Sequence, residues 1–413
     1  MKKRLTLIIL FSSALMYWIG FSMVRPIVSL YFNSQGYSIA AIGWLMALYA
    51  VVPVLFAMPV GSIIDRIGTR HATWIGSLIL MGSGLLYWLG GMWGVLLPIL
   101  MGQLLCGLGS LLSWGALQTA AAQSARRMGE DIKKDHMLAN FAFVNSLVQF
   151  AGPIAGGYIS DVAGYEAVFL LFSGLAGVSV CLAFLLPKVS QKETEGKKEF
   201  NLNILKSYAN GYQLMRENRP FAMAILVNGI LFILIDMKGT FFPLYLADIG
   251  LSNTRIGLIL SVGAIAAVII RPLTGFVIRW LGHEQIVKYT LVIGACCMIS
   301  LVFEPSIWVI SIIIFIWGIC AGVNQPMALI MVARTVASSK QGMAMSLRTM
   351  SNRVVQVGNP IMFGALSGFL GLTFGFGAIG VMLLGGAMVI HRMYRNEANT
   401  LTQADKQSQG EVE

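Results

Sequence analysis

The sequence predicts an all-α membrane protein in which twelve transmembrane helices form two pseudo-symmetric six-helix bundles. Hydrophobic residues make up 57% of the 413 residues and charged residues only 11%, so there are too few polar side chains to cover a soluble body of this length. The apolar runs are long and lack the alternation of barrel strands. A repeat at a constant offset of 214 residues divides the chain into two like halves.

Twelve apolar stretches have about 20 residues or more, the length that spans ~30 Å of hydrocarbon. In chain order they are 5–32, 39–62, 72–91, 95–121, 138–161, 166–187, 220–246, 253–278, 286–303, 306–333, 343–370 and 372–391. If the N-terminus is inside, 23 of the 29 lysine and arginine residues are cytoplasmic, five are embedded and only Arg255 is outside. The positive-inside rule therefore predicts a multi-pass plasma-membrane protein with both termini cytoplasmic.

The repeat sets the domain organisation. The paired positions are Leu30 and Leu244, Tyr31 and Tyr245, Gly36 and Gly250, Ser38 and Ser252, Ile42 and Ile256, Gly43 and Gly257, Gly61 and Gly275, and Gly68 and Gly282. We expect an N-terminal bundle over 1–187, a cytoplasmic linker over 188–219 with a short helix at 201–217, a C-terminal bundle over 220–395 and a disordered cytoplasmic tail over 396–413. Membrane chains made of two like halves usually move a solute at the seam between them.

A short charged loop follows the second stretch, with Gly61, Asp65, Arg66, Gly68 and Arg70 at characteristic spacing. It resembles the signature loop between helices two and three of the major facilitator superfamily, and the resemblance extends over essentially the whole chain. It implies the major facilitator fold and transport by alternating access. We expect Gly61 to allow close helix packing and Asp65 to latch one conformational state.

The fifth stretch contains a glycine-proline motif, made by Gly152, Pro153, Gly156 and Gly157. It is similar to the motif of the proton-driven exporters in this superfamily, where it provides a kinked, tightly packed interface. A bent helix with no bearing on direction is the alternative. The chain departs from the exporter pattern at Gln103, where these exporters usually have an arginine, and by lacking an acid in the first stretch.

Embedded charges indicate the chemistry of the cargo. Five cations face the single embedded acid, Asp236; they are Arg25, Lys238, Arg271, Arg348 and Arg353. Exposing all five to lipid would cost about 12–18 kcal/mol, so they must face partners or water. Structural salt bridges or snorkelling are the alternatives, above all for Arg271 and Arg353. The net embedded charge of +4, five cations minus one anion, favours an anionic solute.

Polar and aromatic residues fall on single faces of several stretches and predict a wet cavity. The candidate substrate-binding residues are Tyr17, Phe21, Arg25, Trp114, Asn145, Gln149, Asn228, Lys238, Arg348, Asn352 and Gln356. Interhelical hydrogen bonding with aromatic packing is the alternative for any one helix. Asp236 is the candidate proton carrier, and we hypothesise that it competes with the substrate anion for the same cations.

The leading interpretation is a secondary-active, proton-coupled exporter of a small anionic or amphipathic metabolite, siderophore-like or metallophore-like, or of a drug. The alternatives are a proton-coupled uptake symporter for organic anions, a transporter of anionic lipid or glycolipid, and a membrane protein without transport activity. An enzyme is least favoured, because no nucleophile, base or metal cluster assembles. We expect no cofactor, no nucleic-acid partner and a monomer in the lipid bilayer, driven by an ion gradient.

Overall fold

A computed structural model describes residues 2–126, 131–186, 204–337 and 340–410. The described chain is helical and contains no strand, which confirms the predicted all-α fold. The helices are α1 (Lys2–Ser34), α2 (Ile39–Phe56), α3 (Val60–Ile67), α4 (Thr69–Trp93), α5 (Leu96–Arg126), α6 (Asp131–Leu185), α7 (Ile204–Glu217), α8 (Arg219–Thr240), α9 (Phe242–Asp248), α10 (Asn253–Ile270), α11 (Thr274–Ser300), α12 (Ile307–Arg334), α13 (Gln341–Leu370) and α14 (Leu372–Gly410). Two 3₁₀ turns lie at Arg271–Leu273 and Leu301–Phe303.

The predicted spans and the observed helices differ where a glycine makes the turn. The single helix α6 contains two predicted spans and breaks at Gly164, and α11 breaks in the same way at Gly282. Both glycines have φ near +80°, at 85° and 77°, a region that other residues avoid. Nine runs of the described chain are long and apolar enough to cross a bilayer. Two of these runs, Ser146–Leu185 and Asn253–Phe303, contain two predicted spans each, which makes eleven spans. The more polar helix α13 is the twelfth.

The two bundles meet along two seams related by the internal repeat, α6 against α10 and α2 against α13. At the α6–α10 seam, Gly157 contacts Asn253 and Gly257 contacts Pro153. At the α2–α13 seam, Gly364 contacts Ile39 and Gly43 contacts Pro360. A Cβ at any of these four glycines would lie 3.0 Å or less from backbone atoms of the opposite half, closer than ordinary packing allows. Glycine is therefore what allows the backbones of the two halves to touch.

The glycine contacts of both seams lie at the outer end of the molecule, which is the end opposite the two termini. The predicted topology makes this end extracellular. One seam has an additional polar contact: the Asp161 carboxylate accepts hydrogen bonds from the backbone N–H groups of Asn253 at 3.1 Å and Thr254 at 2.8 Å, and from the Thr254 hydroxyl at 2.6 Å. At the symmetry-related seam the corresponding residue is Gly368, which has no side chain to accept such bonds. The structure thus shows the halves closed at the outer end.

At the inner end, the signature loop does not show the packing at Gly61 and the interaction of Asp65 that we expected. Apart from Gly61's own helical turn, no atom of the described residues lies within 4 Å of a Cβ placed on Gly61, so the close packing expected there is not seen among them. Asp65 is exposed, and its carboxylate has neither an ion pair nor a hydrogen bond in the part of the chain that the structure describes. The seams between the halves close at the opposite end of the molecule.

The described parts of the linker and of the tail are helical, and residues 188–203 and 411–413 of these predicted segments lie outside the described residues. Helix α7 begins at Ile204, close to the predicted start, and packs between the halves with Gly211 against Met58 and Leu347. The Tyr208 hydroxyl donates to the Val54 carbonyl. The tail predicted to be disordered continues α14 as far as Gly410. It has no proline and no glycine before Gly410, and extending an existing helix avoids the cost of nucleation.

Candidate functional site

An ion pair joins the two halves in the middle of the molecule. Arg25 on α1 donates from Nη2 to Asp236 Oδ1 on α8 at 2.6 Å, and the Asp236 side chain is 1% exposed. Arg25 also reaches the Thr240 hydroxyl at 3.4 Å. The second carboxylate oxygen accepts from Asn359 Nδ2 on α13 at 2.7 Å. Because both oxygens are bonded, the buried charge is compensated, and separating α1 from α8 at this level would leave it unpaired.

A second cation lies beside this pair, around the ring of Tyr49. The guanidinium carbons of Arg25 and Arg353 lie 6.0 and 5.5 Å from the ring centroid, within the range of cation–π attraction. Arg353 also donates to the Tyr49 hydroxyl at 3.1 Å and to Gln356 Oε1 at 2.8 Å. The Tyr49 hydroxyl is 2.8 Å from the Ser110 hydroxyl. Tyr49 on α2 thus connects Arg353 of the opposite half to α5.

The N-terminal half contributes a continuous aromatic wall. Tyr17 stacks on Phe21 at 5.8 Å and on Trp114 at 5.7 Å between ring centroids, and Trp114 stacks on Phe141 at 6.0 Å. Phe21 meets the ring of Tyr49 at 5.7 Å, so the wall ends at the two arginines. An aromatic surface next to a guanidinium can hold a solute with an apolar ring and a polar group.

These groups border a small cavity between the halves. It is lined by Phe21, Val24, Arg25, Val28, Met46, Tyr49, Tyr87, Gln103, Cys106, Asp236, Thr240, Gln356 and Pro360. The Tyr87 hydroxyl donates to Gln103 Oε1 at 3.1 Å, which fixes the amide in the cavity wall. The site therefore combines one neutralised ion pair, several neutral polar groups and a mostly apolar surface.

The structure brings some of the predicted residues to this cavity. Phe21, Arg25, Asp236 and Gln356 line it, and Tyr17 and Trp114 form the wall behind Phe21. The glycine-proline motif does not line it: Gly152 packs against Ser22, Gly156 against Met23, and Gly157 and Pro153 against α10.

Other predicted residues point elsewhere. Asn228 donates to Asn352 at 2.8 Å, which is the interhelical hydrogen bond that the sequence left open as an alternative. Lys238 turns toward α10, and Arg348 is partly buried with no partner for Nε in the described residues. Gln149 is partly buried on α6. The side chain of Asn145 lies outside the described part of the chain.

Several groups at the site were missing from the prediction, among them Tyr49, Thr240 and Asn359. Tyr49 is a single polar residue in an apolar run, and no periodic pattern distinguishes it. Thr240 follows Asp236 by four residues and so shares its helix face, which was a usable signal. Asn359 lies directly before Pro360 in α13. The fifth and eleventh predicted spans also correspond, at an offset of 207 residues that pairs Asn145 with Asn352 and Gln149 with Gln356, and this offset pairs Asn359 with Gly152. That correspondence was a usable signal, because polar residues inside membrane helices usually find a partner within the bundle.

Comparisons with known proteins identify the family. The model of the Major Facilitator Superfamily matches residues 10–354 and 290–411. The chain belongs to the major facilitator superfamily. It is a multi-pass membrane transporter, and the predicted resemblance is confirmed.

Its relatives include drug-resistance proteins at low identity. The chain is 21% identical over 408 residues to "Quinolone resistance protein NorA" of Staphylococcus aureus, covering 95% of this chain and 98% of the relative. It is 21% identical over 326 residues to "Tetracycline resistance protein, class E" of Escherichia coli, covering 78% of each. "Multidrug resistance protein 1" of Bacillus subtilis (strain 168) is 20% identical over 366 residues, covering 88% of this chain and 90% of the relative.

Solved transporter structures share the fold. A single-residue mutant of the nucleoside transporter NupG superimposes with a TM-score of 0.76 at 13% identity, covering 93% of this chain and 99% of that one. A POT family transporter in complex with a thioalcohol-conjugated peptide gives a TM-score of 0.77 at 14% identity, covering 94% and 96%. At these identities the likeness shows the fold alone.

Proposed function

We propose that this transporter exports small amphipathic organic anions, drugs or metallophore-like metabolites among them, in exchange for protons. The observation that carries the proposal is the Arg25–Asp236 ion pair, which joins the two halves beside the central cavity. The names of the relatives, which refer to resistance to quinolones, tetracycline and multiple drugs, favour export over uptake.

The ion pair can couple cargo to protons, because both compete for the same charges. With the outer end closed, Asp236 is bonded to Arg25 and Asn359. A cargo carboxylate that enters from the inner side takes Arg25 from Asp236, which removes the bond between α1 and α8 and lets the outer end open. A proton from outside then neutralises Asp236, the cargo leaves and the halves close again. Asp236 releases the proton to the inner side as it restores its ion pair with Arg25. Each cycle exchanges one cargo anion for at least one proton.

The surroundings of the cavity determine which cargo fits. The aromatic wall from Trp114 to Phe21 offers stacking surface, worth about 0.5–1.5 kcal/mol per ring pair beyond area burial. Five cations and one acid, Asp236, are embedded within the membrane spans of the described helices, so a cationic cargo would meet net repulsion. An aromatic carboxylate satisfies both features.

The test uses everted membrane vesicles from cells that produce the protein, energised to be acidic inside. A fluorescent quinolone carboxylate is the first probe and its methyl ester the second. We expect gradient-driven accumulation of the carboxylate in wild-type vesicles and its loss in Asp236→Asn, whereas Asp248→Asn, an exposed aspartate at the outer end, serves as the matched control. Full gradient-driven transport by Asp236→Asn would refute the coupling role. Accumulation only in right-side-out vesicles would replace export with uptake.

A further inference from the structure

Two further embedded cations form a cluster outside the lining of the central cavity. Lys238 on α8 donates from Nζ to the Gly263 carbonyl of α10 at 3.5 Å. Arg271, in the 3₁₀ turn that follows α10, donates to Gln325 Oε1 of α12 at 3.0 Å and to the Ser146 hydroxyl of α6. All the acceptors in these hydrogen bonds are neutral.

No carboxylate compensates this cluster. Gly263, the residue that Lys238 contacts, and Arg271 lie about two helical turns apart on one continuous helical segment. In the described ranges, no acid lies within 4 Å of either side chain, and the one embedded acid, Asp236, is bonded to Arg25. Asp236 and Lys238 are two residues apart on one helix, which is a rotation of about 200°, so they face opposite sides of α8.

Part of the donor capacity of these two side chains is not used within the described residues. An ammonium has three donors and a guanidinium has five, yet the hydrogen bonds use one from Lys238 and two from Arg271. The Gly263 contact is long for a charge-assisted hydrogen bond, which is normally about 2.7–2.9 Å. Gln325 is exposed, so the cluster is open to solvent on the α12 side.

We infer that Lys238 and Arg271 form a second anion-binding subsite, which takes a carboxylate, sulfonate or phosphate group. This inference rests on the proposed export of organic anions. It assigns proton coupling to the pair of Arg25 and Asp236, and the binding of a negatively charged group to a separate subsite made of Lys238 and Arg271. The anion is a group of the cargo itself or a free inorganic anion. An anion bound there competes with Ser146 for Arg271, and Ser146 belongs to the opposite half.

The experiment measures binding at equilibrium, without a gradient, to purified full-length protein in lipid nanodiscs. Calorimetric titrations compare 2-naphthoate with 2-naphthamide, which has the same ring and no charge. We expect wild-type protein to bind the carboxylate more tightly than the amide. Lys238→Met and Arg271→Gln should each raise the Kd of 2-naphthoate roughly ten- to hundredfold, the size expected for a charged hydrogen bond, and change that of the amide less than about twofold.

Controls separate the subsite from general damage and from the coupling pair. Lys238→Arg keeps the charge and should restore binding, while Arg255→Gln removes an exposed arginine at the start of α10 and should have no effect. Asp236→Asn should still bind the carboxylate more tightly than the amide. The binding measurement therefore tests the subsite even if the proposed proton coupling is wrong. Circular dichroism and size-exclusion chromatography verify the fold of each variant.

Titrations with sulfate and chloride, in a low-salt background free of carboxylate, sulfonate and phosphate, distinguish the source of the anion. Loss of sulfate or chloride binding in Lys238→Met, with unchanged naphthoate binding, would assign the subsite to a free inorganic anion. The inference is overturned if no anion binds wild-type protein more tightly than the amide does. Equal losses for carboxylate and amide in the variants would overturn it as well.

Discussion

The polar contact at the outer end predicts a measurable effect of removing Asp161. Its carboxylate accepts three hydrogen bonds from the first turn of α10, which belongs to the opposite half. A side chain that caps a helix N-terminus is worth about 1 kcal/mol, and a negative charge there adds about 0.3–1 kcal/mol. Because Asp161 is exposed, solvent screening reduces the charge contribution. We therefore expect Asp161→Ala to favour outer opening by about 1–2 kcal/mol, roughly 5- to 30-fold in the equilibrium.

The native Cys106 provides the assay, because it lines the central cavity and is buried in this arrangement. The exposed Cys181 and Cys296 are replaced by serine, and intact cells are treated with a membrane-impermeant thiol reagent. The labelling rate of Cys106 from outside should rise roughly 5- to 30-fold in Asp161→Ala, since labelling requires the outer end to open.

The matched control is Asp248→Ala, which removes another exposed outer carboxylate that has no hydrogen bond across the seams in the described residues. A wild-type labelling rate in Asp161→Ala would refute the assignment of the closing contact. An equal increase in Asp248→Ala would show that surface charge, rather than the cap, controls opening.

Three further predictions concern the buried ion pair, the α2–α13 seam and the aromatic wall. Asn359→Leu should lower thermal stability and transport, because it leaves an Asp236 oxygen without its donor at a cost of about 1–3 kcal/mol; a melting temperature equal to that of wild type would contradict this. Gly43→Ala should raise Cys106 labelling from outside, because its methyl group collides with the Pro360 carbonyl, whereas Gly61→Ala should not, and equal labelling of the two would refute the role of the seam. Trp114→Ala should weaken 2-naphthamide binding about 2- to 15-fold through lost stacking, as measured by calorimetry, and an unchanged affinity would exclude the wall from the site.

Part of the site could be predicted from local spacing. Residues four apart on one helix share a face, so Tyr17, Phe21 and Arg25 were placed together, and the structure stacks the two rings and sets Arg25 at the cavity. The same rule predicted a polar face over Asn228 and Asn352 but could not decide between binding a solute and binding each other. The structure shows the latter, because α8 and α13 are neighbours within one half.

The choice of ion-pair partners could not be predicted. Asp236 had Arg25, Lys238 and the arginines of α13 as possible partners, and it bonds Arg25, 211 residues away. Arg353, for which a structural salt bridge was an open alternative, instead contacts Tyr49 and Gln356. These outcomes depend on helix rotation and on how the halves approach each other, and neither is encoded in the pattern along one helix.

The sequence by itself determined the twelve spans, the two like halves and the need to shield the embedded charges. These features follow from hydropathy, from a repeat at fixed offset and from the cost of an ion in lipid, and each is a property of a segment alone. Only the tertiary structure decided that the outer seams are closed and that Asp161 is bonded across one of them. It also decided that, within the part of the chain that is described, Asp65 has no partner and Lys238 and Arg271 bond only neutral acceptors. Each of these depends on which distant segments meet, and packing between the halves settles that.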